Sequence, residues 1–254
     1  MKKEIRVFIL AAIYILVSAT MLLAAETSPV ILFDQGHGQR FLIQEKGELH
    51  LSSLADMVLA ADGKVVASSS ALTPVTLSKV AAVVISGPFA PYSADEIEAL
   101  LRFMDAGGRV VCMLHIGQPL ADLLHRLDID ISNAVLHERH NIIEKDINFQ
   151  VKELSQSALL QGVPSFSLYG GWALNPGEKV QSLARTSSEA WVDLDGDKQF
   201  SEGDASMAFS VVVAGKQGKG SFMVFGDDAI FQNRYLDANN QALARNLVTW
   251  LLGK

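Results

Sequence analysis

The chain alternates between short unbroken apolar runs and segments whose apolar residues recur every three or four positions. "PVILFDQ" (29–35), "KVAAVVISGP" (79–88) and "RVVCML" (109–114) are continuous and rich in β-branched residues. That is the pattern of strands buried on both faces. "KVVAS" (64–68) reads as a further strand. Between them, Leu51, Leu54, Ala55, Val58 and Leu59 share one helical face, and Gly63 stops that helix. Ser93 and Glu96 form a capping box, in which hydroxyl and carboxylate satisfy free N–H groups of a first helical turn. Ile97, Leu100, Leu101 and Met104 continue it as an apolar stripe, and Gly107-Gly108 ends it. "QPLADLLHRLDI" (118–129) is another amphipathic helix. Strand and helix alternate from residue 30 to about 130. The expectation is a Rossmann/flavodoxin-like α/β fold: a mostly parallel sheet, right-handed crossovers and helices on both faces.

From about residue 135 the pattern changes. "NFQVKEL", "SFSLYGG", "KVQSLAR", "EAWVDLD", "ASMAFSVVVAG" and "GSFMVFGDD" all read as strands, with "AGKQGKG" a hairpin turn between the last two. A helix from about Asn240 closes the chain, using Leu243, Leu247, Trp250 and Leu251. The strand-rich part is expected to extend the same sheet, giving a single α/β domain over residues 26–254.

The first 25 residues differ. "MKKEIR" is a positive segment, and "VFILAAIYILVSATMLLAA" (7–25) is uninterrupted apolar sequence. This reads as a secretory signal cleaved near Ala25. Leu23 stands where a small residue is preferred, and the run is long enough to span a bilayer as an uncleaved anchor. Both readings place residues 26–254 outside the cytoplasm, periplasmic or extracellular, with the membrane engaged only through the N-terminal segment. No cysteine follows the run, which excludes a lipoprotein anchor. Beyond residue 25 there are 18 basic and 27 acidic residues, within a whole-chain net charge of −7. No basic cluster stands out along this part, so nucleic acid is not expected as a partner. Cys112 is the one cysteine, which rules out an intrachain disulfide.

Candidate chemistry concentrates in two loops. "DQGHGQRF" (34–41) has the first two glycines of a dinucleotide fingerprint, but Phe41 stands where the third must be small. A Walker loop is also missing, so no nucleotide cofactor is expected. In an open parallel sheet, ligands bind beyond the carboxyl ends of the strands. Asp34, Gln35, His37 and Arg40, then Ser86 and Gly87, then His115, then Asp227 and Asp228 all follow predicted strands. Such a set can hold a metal or a polar ligand. The bland alternative makes Asp34 a turn cap, His37 an exposed loop residue and His115 a backbone-bonding strand end. His125, His137 and His140 lie among charges and read as solvated, and Cys112 reads as an inert buried thiol.

The second loop is "DLDGDKQFSEGD" (193–204). Asp193, Asp195, Asp197, Ser201 and Asp204 occupy positions 1, 3, 5, 9 and 12, and Gln199 at position 7 offers its carbonyl. This is the ligand spacing of a twelve-residue calcium loop, here predicted as a structural clip. Lys198 stands where a glycine is usual, and Asp204 is shorter than the usual Glu.

"ILFDQGHGQ", "SFSLYGGWAL", "WVDLDGDKQFSEGD" and "GSFMVFGDDAIFQN…NNQALARNLVTWLLG" together resemble the uncharacterised family called domain of unknown function 4350. The family is similar to the auxiliary subunit of gliding-motility ABC transporters and to a sugar-binding-like intraflagellar-transport domain. The resemblance implies the fold of class I glutamine amidotransferases. It also implies a place for a nucleophile: a tight turn, usually G-x-C-x-G, with a His-Glu pair later in the chain. The equivalent turn here reads "HIGQP"; Cys112 lies about three residues too early, and the last histidine is His140. The expected function is therefore an exported, non-catalytic amidotransferase-like domain. It would bind a glycan, a small polar ligand or an envelope or ABC-transport partner through Asp34, His37, Arg40, His115 and Asp227. The alternatives are a metal-assisted hydrolase built on His37, His115 and Asp227, and a membrane-anchored structural interaction protein.

Overall fold

The computed structural model describes residues 28–254; the segment read as a signal or anchor, residues 1–25, lies outside them. The first half alternates as expected. β1 (Val30–Asp34) is followed by the helix Ser52–Ala60, β2 (Lys64–Ser68), β3 (Ala82–Ser86), the helix Ala94–Asp105, β4 (Arg109–Met113) and the helix Ala121–Arg126. The capping box is present: Ser93 Oγ accepts from Glu96 N at 3.3 Å, and Glu96 Oε2 accepts from Ser93 N at 3.0 Å. The helix after Gln118 is shorter than its apolar pattern suggests. It ends before Asp128, which takes a left-handed φ of 63°. The chain then enters β5 (Ile129–His137), a strand not anticipated from the sequence.

Next come β6 (Asn148–Val151), β7 (Glu153–Leu154), β8 (Phe166–Tyr169), β9 (Trp172–Pro176), β10 (Gln181–Arg185), β11 (Trp191–Val192), β12 (Ala205–Ser206), β13 (Ser210–Gln217) and β14 (Gly220–Phe225). The closing helix runs Ala238–Leu252, capped by the Asp237 side chain and ended by Gly253 at φ 73°.

The main sheet has 12 strands, ordered β12-β11-β5-β9-β13-β14-β4-β3-β1-β2, with β10 and β7 branching from β13. Strands β14, β4, β3, β1 and β2 are mutually parallel, and every pairing beyond β14 is antiparallel. The expected mostly parallel sheet is therefore corrected: four pairings are parallel and seven antiparallel. The cause is the connections. After Arg126 the strands are joined by turns and loops, which return the chain antiparallel, instead of by crossover helices. The strand-rich part does extend the same sheet, apart from the β6–β8 pair.

Side chains alternate across the parallel half, as the pleat requires. Ile31, Phe33, Val84, Val111 and Met113 join a core with Leu54, Val58, Leu243 and Leu247. Leu32, Val83, Ile85, Val110 and Cys112 join another with Leu100, Met104, Leu123 and Leu124. Helices thus cover both faces, and the carboxyl ends of four strands meet along one edge.

Candidate functional site

The four strand ends are stitched together by backbone bonds. Gly87 N donates to Met113 O at 2.9 Å, Leu114 N to Phe225 O at 3.0 Å, and Asp228 N to Leu114 O at 2.8 Å. The turns leaving β1, β3, β4 and β14 are held in one row, and the predicted polar residues do share an edge. They divide into two groups with different chemistry.

The first is a closed knot. Asp34 Oδ2 lies 2.8 Å from His37 Nδ1 and accepts from Gln39 Nε2 and from the Tyr92 hydroxyl; Oδ1 accepts from Gly36 N at 3.1 Å. His37 Nε2 lies 3.0 Å from Glu96 Oε1, and the imidazole stacks on Tyr92 with centroids 3.8 Å apart. Glu96 also accepts from Leu72 N and from the Ser93 backbone and hydroxyl. Burial lowers the His37 pKa, but Asp34 and Glu96 outweigh it and hold the imidazole above its ordinary 6.5. Glu96 is held below its ordinary value, hydrogen bonds from Ser93 and Leu72 outweighing burial. Both ring nitrogens of His37 are occupied and the residue is buried. Asp34 and His37 are therefore corrected from ligand contacts to structural groups: an imidazole with both nitrogens bonded has no lone pair or donor left. His37 still shapes the edge, because its carbonyl accepts from Phe89 N and Ala90 N, both at 2.9 Å.

The second group is open. His115 Nδ1 lies 3.1 Å from Asp228 Oδ1, and its side chain is 39% exposed while that of Asp228 is fully buried. Among the described residues, His115 Nε2 has no protein partner. Phe41 meets the ring edge-on at 4.9 Å and Phe89 tilts toward it at 5.3 Å. Arg40 lies over Phe89, 4.5 Å from the ring centre. The His115 carbonyl accepts from Trp172 Nε1 at 3.1 Å, fixing the turn from below. Asp228 raises the His115 pKa above 6.5, against a smaller opposing effect of burial. Behind them, Asp228 Oδ2 and Ser86 Oγ are buried without a protein hydrogen-bond partner. Gly87, at φ +53°, brings its backbone against that carboxylate: a Cβ there would stand 2.4 Å from Asp228 Oδ2.

Asp227 is a neighbour of this group and not a member. Its Oδ2 accepts from Tyr169 N at 2.6 Å and its Oδ1 from Ala229 N at 2.8 Å. Burial and the adjacent Asp228 charge push its pKa up to about 8, although both backbone donors oppose this. With His37 and Asp227 each committed elsewhere, the trio His37, His115 and Asp227 does not form a metal centre among the described residues.

These shifts make a pH prediction. Asp227 keeps a proton in the folded state that the unfolded chain has released, so stability falls as pH rises from about 4 toward 8. His37 acts in the same direction: its contribution is complete below pH 6.5 and lost as pH rises through its folded pKa. Urea midpoints are therefore expected to fall between pH 5 and pH 8, and Asp227→Asn should flatten the slope. A midpoint that rises over this interval would contradict the assignment.

The acidic loop folds around its own carboxylates. Ligand atoms of Asp193, Asp195 and Asp197 lie within 4.8 Å of one another. Asp193 accepts from Gly196 N at 2.7 Å and Lys198 N at 2.9 Å, and Asp197 accepts from Gln199 N at 2.7 Å. Ser201 Oγ donates to Asp195, and Asp204 accepts from Leu194 N and Ser201 N. Lys198 takes the left-handed conformation, φ +63°, that a glycine usually supplies at this position. The departure seen in sequence is thus absorbed by the backbone.

The remaining candidates are engaged locally. His125 pairs with Asp130 and His140 with Glu189 at the surface; His137 pairs with Asp146 and stacks on Trp191. Cys112 is fully buried in β4, its thiol pushed up to about 12 by desolvation. Sequence reasoning missed Glu96 as the second carboxylate on His37, chose Asp227 over Asp228, and overlooked Phe41 and Phe89 as a rim. The doublet Asp227-Asp228 was the available signal, because adjacent residues leaving a strand point in different directions.

The family model described as "Domain of unknown function (DUF4350)" matches residues 51–248. No curated protein matches the chain. Among solved structures, the chain is similar to one described as the mmIFT52 N-terminal domain, at 19% identity and TM-score 0.70, covering 87% of this chain and 96% of that one. It is similar to a putative ThuA-like protein from Bacteroides uniformis at 11% identity and TM-score 0.54, covering 90% and 92%. A cytoplasmic protein from Salmonella typhimurium matches at 15% identity and TM-score 0.52, covering 88% and 98%. At these identities the likeness concerns the fold alone.

Proposed function

Since the chain belongs to the DUF4350 family, whose description carries no activity, we propose from its own geometry that it is a non-catalytic binding domain of amidotransferase-like fold, acting outside the cytoplasm. Its ligand is a glycan or another small polar molecule bearing hydroxyl or carboxylate groups. The observation that carries this reading is the half-exposed His115, oriented from behind by buried Asp228 and rimmed by Phe41, Phe89 and Arg40. A carboxylate that takes Nδ1 fixes the tautomer and turns Nε2 outward. Aromatic rims favour the apolar face of a ring-shaped polar ligand, and Arg40 favours an acceptor. The amidotransferase-type nucleophile has no counterpart: the turn after β4 presents His115, and Cys112 is buried with a thiol that stays protonated.

The test is ligand-observed NMR with a panel of neutral mono- and disaccharides, uronic acids and amino acids, on the wild type and His115→Ala. Binding of at least one class is expected in the wild type and weakened at least tenfold in His115→Ala, which stays folded with a melting temperature lowered only by the loss of the Asp228 contact. Equal binding by both proteins would move the site elsewhere.

The acidic loop supports a separate structural role as a calcium clip, the reading its ligand spacing first suggested. A ligand held only by the folded state stabilises it by RT ln(1 + [L]/Kd). With a dissociation constant on the order of 10⁻⁴ M, as in extracellular modules, about 2 mM calcium adds roughly 2 kcal/mol. Thermal melts in EDTA and in calcium should differ accordingly, and Asp195→Ala should erase the difference. Identical melts would remove calcium from the account.

A further inference from the structure

Along the sequence the cations beyond residue 25 are scattered, yet the fold collects seven of those 18 at one edge. The row is set by backbone bonds at the amino ends of the parallel strands. Lys64 N donates to Pro29 O, Ala81 N to Val30 O, Arg109 N to Ala81 O and Ser221 N to Gly108 O. Lys64, Lys79 and Arg109 stand in this row. Arg102 lies in the last turn of its helix, Lys216 and Lys219 flank the β13–β14 turn, and the Lys254 ammonium donates to Ala61 O at 2.7 Å. Six are exposed and Arg109 is half-buried. The acidic residues in the same turns are Asp62 and Asp105. Among the described residues, the Lys and Arg ion pairs are Arg126–Glu98 and Arg234–Glu48, so none of the seven is paired.

Helix C-termini also end at this edge and attract cations, but that effect fades within a turn. Lys64, Lys79, Lys216 and Lys219 lie outside any helix. The edge also carries apolar surface. Val75 is 82% exposed. Beside it a cavity of ≈ 600 Å³ is lined by Pro74, Leu77, Val80 and Phe103, together with Arg102 and Arg109. Cations beside exposed apolar residues match a lipid interface, where headgroups take the charge and acyl chains take the apolar contact. The described chain enters its first strand at this same edge, and in sequence four residues separate that strand from the apolar run 7–25.

We propose that the amino edge of the parallel strands lies against an anionic lipid surface, leaving the His115 edge turned away from the membrane. This does not depend on the ligand reading, because the two surfaces are opposite ends of the same strands.

The test places the full chain in nanodiscs of phosphatidylcholine alone or with phosphatidylglycerol. A fluorophore is attached at Val75→Cys, Cys112 being fully buried, and lipids carry a quenching spin label. Quenching is expected in the anionic discs, weaker in the neutral discs, and absent for a fluorophore at Glu45→Cys near the opposite edge. Each neutralised cation near such a surface weakens association roughly fivefold. The Lys79→Gln, Lys216→Gln, Lys219→Gln triple variant should therefore lower the apposed-to-free ratio on the order of a hundredfold. Quenching that is equal in both lipids and unchanged in the triple variant would overturn the proposal. So would equal quenching at positions 75 and 45. Displacement from the anionic discs by soluble polyglutamate or by DNA would reassign the edge to an acidic macromolecule.

Discussion

Asp34→Ala is expected to cost about 3–5 kcal/mol, the range for removing one partner of a buried charged network. One carboxylate oxygen serves His37, Gln39 and Tyr92 together, and the other holds Gly36 N. Without it, the Tyr92 hydroxyl and the Gln39 amide lose their buried acceptor, and the His37 imidazolium keeps only Glu96. Each unsatisfied buried group costs about 1–3 kcal/mol, and total stability is commonly about 5–15 kcal/mol. Asp34→Asn separates shape from charge. Its carbonyl can take the position that receives three donors, leaving the amide against Gly36 N, so a smaller loss of about 1–2 kcal/mol is expected. Chemical denaturation of the three proteins at pH 7 decides this. An Asp34→Ala protein as stable as the wild type would mean that the knot holds nothing together.

The second large effect is expected at Gly87. Alanine there must adopt φ near +53° and bring its Cβ within 2.4 Å of the buried Asp228 carboxylate. The backbone penalty alone is roughly 1–2 kcal/mol, and displacing a buried carboxylate adds a similar amount, for a total of about 3 kcal/mol. The consequence extends to the site, because Asp228 orients His115. Gly87→Ala should lower stability by the larger amount and weaken ligand binding with it, whereas His115→Ala should weaken binding more, at a smaller stability cost of about 1 kcal/mol from the Asp228 contact it removes. Paired melts and binding titrations distinguish the two patterns; full binding by a folded Gly87→Ala protein would show that Asp228 does not position the imidazole.

Much of the fold could be read directly, because its determinants are local. The buried strands around Phe33, Val84 and Val111 announce themselves as unbroken apolar runs, and Ser93 and Glu96 mark a helix start by spacing alone. β5 was hidden because "QPLADLLHRLDI" carries a helical pattern across the Asp128 turn, where one left-handed residue ends the helix. The sheet's directions were hidden too, since an apolar strand looks the same whether its neighbour runs with it or against it.

The site was legible as an edge and not as a geometry. Which histidine is closed and which is open depends on Glu96, 59 residues from His37, and on Asp228, 113 residues from His115. Glu96 was already explained as a cap, so nothing in the sequence indicated its second task. The basic edge is the same lesson in reverse. Its members run from Lys64 to Lys254, and no window of sequence contains them together. The asparagines of "GSFMVFGDDAIFQN…NNQALARNLVTWLLG" are explained by packing: Asn233 ties Gly47, Ser52 and Ser53, and buried Asn240 bridges Ser167 and Ile230.

In the proposed function His115, and not His37, is the ligand-facing histidine. This is tested most directly by imidazole ¹⁵N NMR of the histidine-labelled protein during titration with whichever saccharide, uronic acid or amino acid binds. The His115 Nε2 resonance is expected to move with saturation while both His37 nitrogens stay fixed. Movement of the His37 resonances with His115 unchanged would contradict this assignment.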